Sequence, residues 1–319
     1  MSQWKLRYKK FDPDKEMLRE ALCTLGNGYF GTRGAAPESM ATKVHYLGTY
    51  IAGVYNALST DIANRTINNE DFVNCPNWLM FNYRIDDGPW IYRLNYKRLS
   101  YKKELDLKRG ILSRRFRWQD EEGRITLIES HRIVSMADPH CGALRYTITP
   151  ENYNGTITIR SGIDGLIVNS GVERYKQLNS RHLIPKSHGE FEPDGIFLQM
   201  QTMQSKIDIT EAMRNLVYKG HERIQPLMEV ISHGRQRIFH EFSVSIRQGE
   251  RLTVEKLVSI YTSRDQGVAD NCELARKKVA SIENFSALYK PHQAKWRSLW
   301  KRFDIQVEGD DFVQLTLRL

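Results

Sequence analysis

The chain has 319 residues, 40% of them hydrophobic and 27% charged, with a formal net charge of +9. That is enough apolar material for a buried core and excludes a disordered chain, and the length allows one large β domain or two smaller ones. The positive charge is scattered among acids rather than gathered in one patch; this argues against a nucleic-acid binder and leaves a modest pull on small anions such as phosphate.

Met1–Phe11 is charged and lacks an apolar h-region, so no signal peptide is expected. Trp4–Phe11 reads as a first strand. Asp12-Pro13-Asp14 then caps a short helix with apolar positions at Met17, Leu18, Ala21 and Leu22. In Thr24–Asn56 glycines and aromatics alternate, with almost no charge after Glu38. Gly26–Gly31 spells G-x-G-x-x-G, the dinucleotide fingerprint, but a helical segment precedes it, no helix follows, and no acid stands where a ribose needs one. It reads instead as a tight glycine-rich turn into the first long strand region. Glu70–Trp90 holds a turn-prone centre at Asn74–Asn77, a strand, and a hairpin signal at Asp86-Asp87-Gly88.

Ile111–Trp118 and Arg124–Met136 are two longer strands joined by Gln119–Gly123. Leu112, Arg114, Phe116 and Trp118 share one face, a period of two that marks a strand. Ala143–Thr149 and Gly155–Ser161 follow, then a less regular stretch, Gly162–Leu183. Ile196–Thr202, Lys206–Ala212, Leu227–Ser232, Arg237–Ile246 and Leu252–Thr262 continue the strands, with turns at Asp194-Gly195 and Gln248-Gly249-Glu250. Many short strands with regular turns predict a large antiparallel sandwich.

After Asp265 the composition changes. Ala269–Ile282 and Asn284–Phe303 read as helices, the second kinked or restarted at Pro291, with Trp296 and Trp300 on one face. Asp310–Leu319 reads as the beginning of another helix. Apolar residues are still arriving at Leu319, so a domain cut from a longer chain is expected. Val44–Thr60, the least charged run, is broken by glycines and does not read as a membrane span. Cys23, Cys75, Cys141 and Cys272 form no C-x-x-C pair and fit free thiols in a reducing cytoplasm.

Residue types alone do not support catalysis. There is no G-x-S-x-G elbow and no H-E-x-x-H. His131 and His140 read as satisfied or exposed histidines. Asp86, Asp87, Glu129, Asp138 and Asp164 are available for glycoside chemistry, yet none has a sequence-level reason for a raised pKa; Asp86 and Asp87, like Glu121 and Glu122, read as turn residues. Trp78, beside Asn77 and Pro76, is either a local packing plug or a sugar-stacking platform.

Six segments, in order and spacing, resemble the N-terminal domain of glycoside hydrolase family 65. They are Thr24–Gly34 (TLGNGYFGTRG), Gly48–Asn56 (GTYIAGVYN), Asn74–Leu79 (NCPNWL), Leu105–Leu112 (LDLKRGIL), Ser161–Gly165 (SGIDG) with Leu178-Asn179, and Glu255–Asp265 (EKLVSIYTSRD). That family includes maltose, trehalose, kojibiose and nigerose phosphorylases and acid trehalases. The resemblance implies a mainly β fold: a large antiparallel super-sandwich over residues 1–265, a short helical linker over 266–303, and the start of an (α/α)6 barrel at 304–319. The family's catalytic glutamate and phosphate ligands lie in the barrel, so no catalytic residue is carried over, and neither metal nor cofactor is expected.

The same resemblance implies a parent enzyme that cleaves an α-glucosyl disaccharide with inorganic phosphate, inverting the anomeric centre to give β-glucose 1-phosphate. It is expected to be a cytoplasmic homodimer that binds neither nucleic acid nor membrane. The domain itself is expected to be inactive, to support the barrel, and to lend Tyr50, Tyr55, Asn77 and Trp78 to the rim of the substrate pocket. The alternatives are the same domain of a trehalase-like hydrolase, or a stand-alone carbohydrate-binding module.

Overall fold

A computed structural model describes residues 3–170, 178–267 and 269–319. Residues 171–177 of the irregular stretch Gly162–Leu183, like residues 1, 2 and 268, lie outside the described residues. The chain runs β1 (Lys5–Tyr8), α1 (Glu16–Leu22), β2 (Leu25–Gly26), β3 (Phe30–Thr32), β4 (Thr49–Ile51), β5 (Tyr55–Ile62), β6 (Arg65–Phe72) and β7 (Phe81–Ile85). It continues, after a single 3-10 turn at Ile91–Arg93, with β8 (Lys97–Asp106), β9 (Ile111–Gln119), β10 (Ile125–Val134), β11 (Cys141–Pro150), β12 (Gly155–Asp164) and β13 (Leu183–Phe191). Next come β14 (Gly195–Thr202), β15 (Asp208–Lys219), β16 (Glu222–Ile224), β17 (Glu229–His233), β18 (Arg237–Ile246) and β19 (Leu252–Thr262). Three helices follow: α2 (Asn271–Ala280), α3 (Phe285–Phe303) and α4 (Asp311–Arg318).

Among the described residues, one antiparallel sheet of ten strands has the order β1-β8-β9-β10-β11-β19-β15-β14-β13, with β16 paired to β15. A four-stranded sheet, β17-β18-β12-β7, packs on one face of it; Phe81 on β7 stands 4.5 Å from Tyr146 on β11. The two-residue period of a strand sorts side chains between the faces. Leu144, Tyr146 and Ile148 of β11, Met213 and Val217 of β15, and Val254 and Val258 of β19 enter the core between the sheets. Ala143, Ala212, Leu216 and Leu257 point the other way and form a second core with Ala275 and Val279 of α2 and Phe285 and Leu288 of α3. The molecule is therefore mainly β, an antiparallel sandwich whose outer face is roofed by helices.

The last three helices have side-chain caps, whereas α1 does not: its N-cap is Lys15 with no side-chain cap, which corrects the capping expected of Asp12-Pro13-Asp14. Asp270 accepts from the Cys272 and Glu273 amides, Asn284 from Ala287, and Asp310 from Phe312 and Val313, each an N-cap that satisfies otherwise orphaned donors. Trp296 and Trp300 stack at 5.7 Å, as their spacing predicts. The segment expected to be a linker, α2 and α3, lies flat on the large sheet, and α4 closes back on the N-terminus: Leu315 is buried, and the Arg318 guanidinium lies 3.7 Å from the Trp4 ring.

The structure corrects several local expectations and adds strands that the sequence did not show. The first long strand region at Thr24–Asn56 is instead three short strands, β2-β3-β4, forming a separate small sheet. Asp86-Asp87-Gly88 makes a turn but not a hairpin, because β7 pairs with the distant β12. The hairpin β5–β6, turning at Ala63 and Asn64 with φ of 49° and 61°, went unread. So did β8 and β13, whose polar outer faces mask their period. Finally, α3 runs unbroken through Pro291, and α1 buries Glu16 and Glu20 while Leu18 is 60% exposed, because its inner face meets Lys103 and His45 rather than an apolar surface.

Candidate functional site

The small sheet β2-β3-β4 begins at a glycine turn. Gly28 has φ of +89°, open space where a Cβ would stand, and a position only glycine takes without strain. The Asn27 carboxamide oxygen accepts from the Tyr29 and Phe30 amides, while its Nδ2 donates to Ser135 O and Pro139 O, 2.7 and 2.8 Å away. The turn is thus clamped to the sandwich by its own asparagine. Tyr29 donates to Asp265 at 2.7 Å, and burial together with that hydrogen bond holds its phenol well above the usual range.

Beside the turn lies a shelf of aromatic rings. Phe72, at the end of β6, is 5.0 Å from Tyr50 on β4 and stacks on Tyr55 at 5.1 Å. Tyr55 is 46% and Phe72 38% exposed. The Tyr50 hydroxyl meets that of Tyr46, over whose ring the Arg33 guanidinium sits at 4.9 Å. Arg33 donates from Nη2 to Met17 O at 2.6 Å, and its Nε is buried without a partner. At Gly48 a Cβ would fall 2.7 Å from Arg33 Cδ and 3.0 Å from the Tyr50 ring, so glycine there is what lets them approach. Tyr50, Phe72, Arg33 and the glycine turn border an open depression of ≈ 430 Å³.

Of the four expected rim residues, the structure brings two together. Tyr55 stacks on Phe72, and Tyr50 packs against it with a tilted ring. Asn77 and Trp78 are elsewhere, and the expectation for them is corrected. Trp78 has no exposed surface; its Nε1 donates to Thr32 Oγ1 at 2.9 Å and its six-membered ring lies against Gly142. Asn77 is buried, its side-chain oxygen accepting from the Leu79 amide. A tryptophan flanked by proline and asparagine reaches the core here because Asn74 ties the local backbone to Leu47, Thr49 and Val168. Trp78 is the packing plug, not the platform. Phe72, Tyr46 and Arg33 went unread. The only sequence signal for Phe72 is an aromatic at the far end of a hairpin from Tyr55, and that needs the hairpin to be seen first.

The lining of the depression carries no carboxylate, histidine or cysteine, so it offers stacking and hydrogen bonding rather than acid–base chemistry. The carboxylates considered from sequence are each held by cations or backbone: Asp86 by Arg124 and the Thr156 amide, Glu129 by Arg115 and Arg251, Asp138 by Lys278, Asp164 by Arg237. His131 is hydrogen-bonded to Ser113 and His140 to Ile260 O. Deep in the core, burial pushes the Glu211 carboxyl well up and the Lys256 ammonium well down. Lys256 donates to Met80 O and Gly162 O, which makes this lysine a fastener between the sheets.

Glu16, Glu20 and His45 place their ligand atoms within 4.8 Å of one another. Three of the four carboxylate oxygens are already taken, by Lys103 at 2.7 Å, His45 at 2.7 Å and the Tyr46 amide at 2.9 Å. A metal ion there would sit against the Lys103 ammonium, so the donor set does not fit one.

The family model "Glycosyl hydrolase family 65, N-terminal domain" matches residues 6–299. An uncharacterized glycosyl hydrolase of Mycobacterium tuberculosis is 39% identical over 96% of this chain and 23% of its own length. The kojibiose phosphorylase of Halothermothrix orenii is 28% identical over 99% of this chain and 39% of its own length. A solved structure, a putative kojibiose phosphorylase from human microbiome, superposes with a TM-score of 0.83 at 19% identity, over 99% of this chain and 40% of that one. The chain thus spans between 23% and 40% of the length of these relatives.

Proposed function

The chain belongs to glycosyl hydrolase family 65 as its N-terminal domain, and from that membership we propose that it is the non-catalytic N-terminal domain of a disaccharide phosphorylase. The observation that carries this reading is the near-complete alignment to a kojibiose phosphorylase. In the intact enzyme inorganic phosphate attacks the anomeric carbon of an α-glucosyl disaccharide, and a glutamate of the barrel protonates the leaving oxygen. The anomeric centre inverts and β-glucose 1-phosphate is released. The roles of this chain are to support the barrel, to help form a homodimer, and to present Tyr50, Phe72 and Tyr55 to the rim of the pocket. Flat, partly exposed rings suit the apolar face of a sugar.

The test is product analysis. The 319-residue chain, incubated with kojibiose, maltose or trehalose and phosphate, is expected to release nothing, and a longer chain carrying the barrel to release glucose 1-phosphate. Phosphorolysis by the short chain alone would refute the reading. A second reading, a hydrolase, is favoured by the mycobacterial relative, an uncharacterized glycosyl hydrolase; free glucose as the sole product, with or without phosphate, would establish it.

A further inference from the structure

A second cavity, of ≈ 200 Å³, lies away from the aromatic shelf, between α1, the loop 36–45, the turn at Ile91–Arg93 and strands β8 and β9. Its lining combines aromatic rings with charges of both signs. Arg98 lies 4.2 Å from the Phe11 ring centroid and donates from Nη2 to the Tyr96 hydroxyl at 3.0 Å; its Nε is buried without a partner. Tyr101 packs on the same Phe11 ring at 5.9 Å, and Tyr92, 37% exposed, stands at the mouth. Glu38 is paired with Arg114 through one oxygen. Glu16 is 1% exposed; one of its oxygens holds Lys103 and the other has no hydrogen-bond partner at all. A carboxylate oxygen buried without a donor is costly, which marks it as a place for a donor from elsewhere.

The chemistry of the occupant follows from this inventory. Counting the groups bonded to the lining, three carboxylates, Glu16, Glu20 and Glu38, are matched by three cations, Lys103, Arg98 and Arg114, so neither a cation nor an anion gains a net attraction. What remains is two unfilled acceptors, one oxygen each of Glu16 and Glu38, an unfilled donor on Arg98, and ring faces. A neutral polyol meets all of these, by donating hydroxyls to the carboxylates, accepting from the guanidinium and laying its C–H face on a ring. The volume is that of roughly seven waters at about 30 Å³ each, room for one sugar ring rather than two. We propose that this cavity is a binding site for a single neutral hexose, separate from any site on the aromatic shelf. One loop joins the cavity to the shelf: His45 and Tyr46 are both held by Glu20 of α1, and the Tyr46 hydroxyl touches that of Tyr50.

The experiment titrates the full chain with D-glucose, D-galactose and D-mannose by calorimetry and saturation-transfer NMR, with methylammonium chloride and inorganic phosphate as charged controls. At least one hexose is expected to bind saturably in the millimolar range. Tyr92→Ala and Glu38→Gln are each expected to weaken it by roughly tenfold, the worth of one good polar or stacking contact, and Tyr55→Ala to leave it unchanged. Glu38→Gln also unpairs Arg114, so if that variant melts early, Tyr92→Ala decides alone. No binding of any hexose, binding that survives Tyr92→Ala, binding lost in Tyr55→Ala, or binding of a charged control in place of the sugars would each overturn the proposal. Failure here leaves the phosphorolysis test untouched, because that test reads product from the barrel.

Discussion

Trp78 and Tyr55 differ little in type but oppositely in environment. Trp78 is fully buried, bonded to Thr32 and lying against Gly142, so Trp78→Ala leaves a cavity in a close-packed core and is expected to cost about 3–5 kcal/mol. Tyr55 rests on Phe72 at the surface, and Tyr55→Ala is expected to cost under about 1 kcal/mol. Chemical denaturation of both variants checks the pair; near-equal losses would put Trp78 outside the core. His240 is a second informative residue. Burial, then the nearby Lys256, pushes its imidazole from 6.5 down to about 4, and Asn215 Nδ2 lies 3.0 Å from its Nδ1, a donor to an unprotonated ring nitrogen. Between those pH values the unfolded chain binds a proton that the folded chain refuses, so stability falls as pH drops from about 6.5 towards 4. The loss amounts to about 3 kcal/mol from this group. Melting curves across that range should fall more shallowly in His240→Gln than in the natural chain.

At the scale of elements, the hairpin β5–β6 carries both outer rings of the shelf. Its turn places Ala63 in the left-handed region, where an alanine Cβ costs about 1 kcal/mol or more. Ala63→Gly is expected to relieve that strain and slow amide exchange along β5 and β6; unchanged exchange would show that the turn does not limit hairpin opening. The hairpin was illegible because its turn lacks the Asn-Gly or Asp-Gly pair, and because β6, Arg65–Phe72, is polar at most positions. β9 was legible for the opposite reason: Leu112, Phe116 and Trp118 alternate cleanly with Ser113, Arg115 and Arg117. Helix α1 misled in a third way. Its apolar stripe is real, yet the side it buries is acidic, because Lys103 and His45 are the groups waiting for it.

On the scale of the whole molecule, α2 and α3 are structural layers and not a detachable tether. They cover Ala143, Leu216, Leu257 and Ile133 on the large sheet. A chain ending at residue 265 would expose that apolar face, so it is expected to bind a hydrophobic dye and aggregate, and to melt well below the full chain. A monomeric shortened chain with an unchanged melting temperature would mean that the helices contribute little. Among the described residues no helix is long and apolar enough to cross a membrane. Strand pairs such as β11–β19 and β7–β12 join residues far apart in sequence, and this non-local topology predicts slow folding.

The sequence by itself determined the class: period-two strands, turn residues between them, the capped helices after Asp265, and the ordered motifs that mark the family. These are local properties, written in neighbouring residues. Only the tertiary structure decided which aromatics are surface and which are core, since exposure depends on what other segments bring. It sent Trp78 inward onto Gly142 and gathered Tyr50, Tyr55 and Phe72 outward from three strands. It also set Glu16 and Glu38, 22 positions apart in the chain, beside Arg98 and Arg114 around a single cavity. Side-chain periodicity cannot encode that meeting, because it is made by strand pairing and by one loop that folds back over a helix.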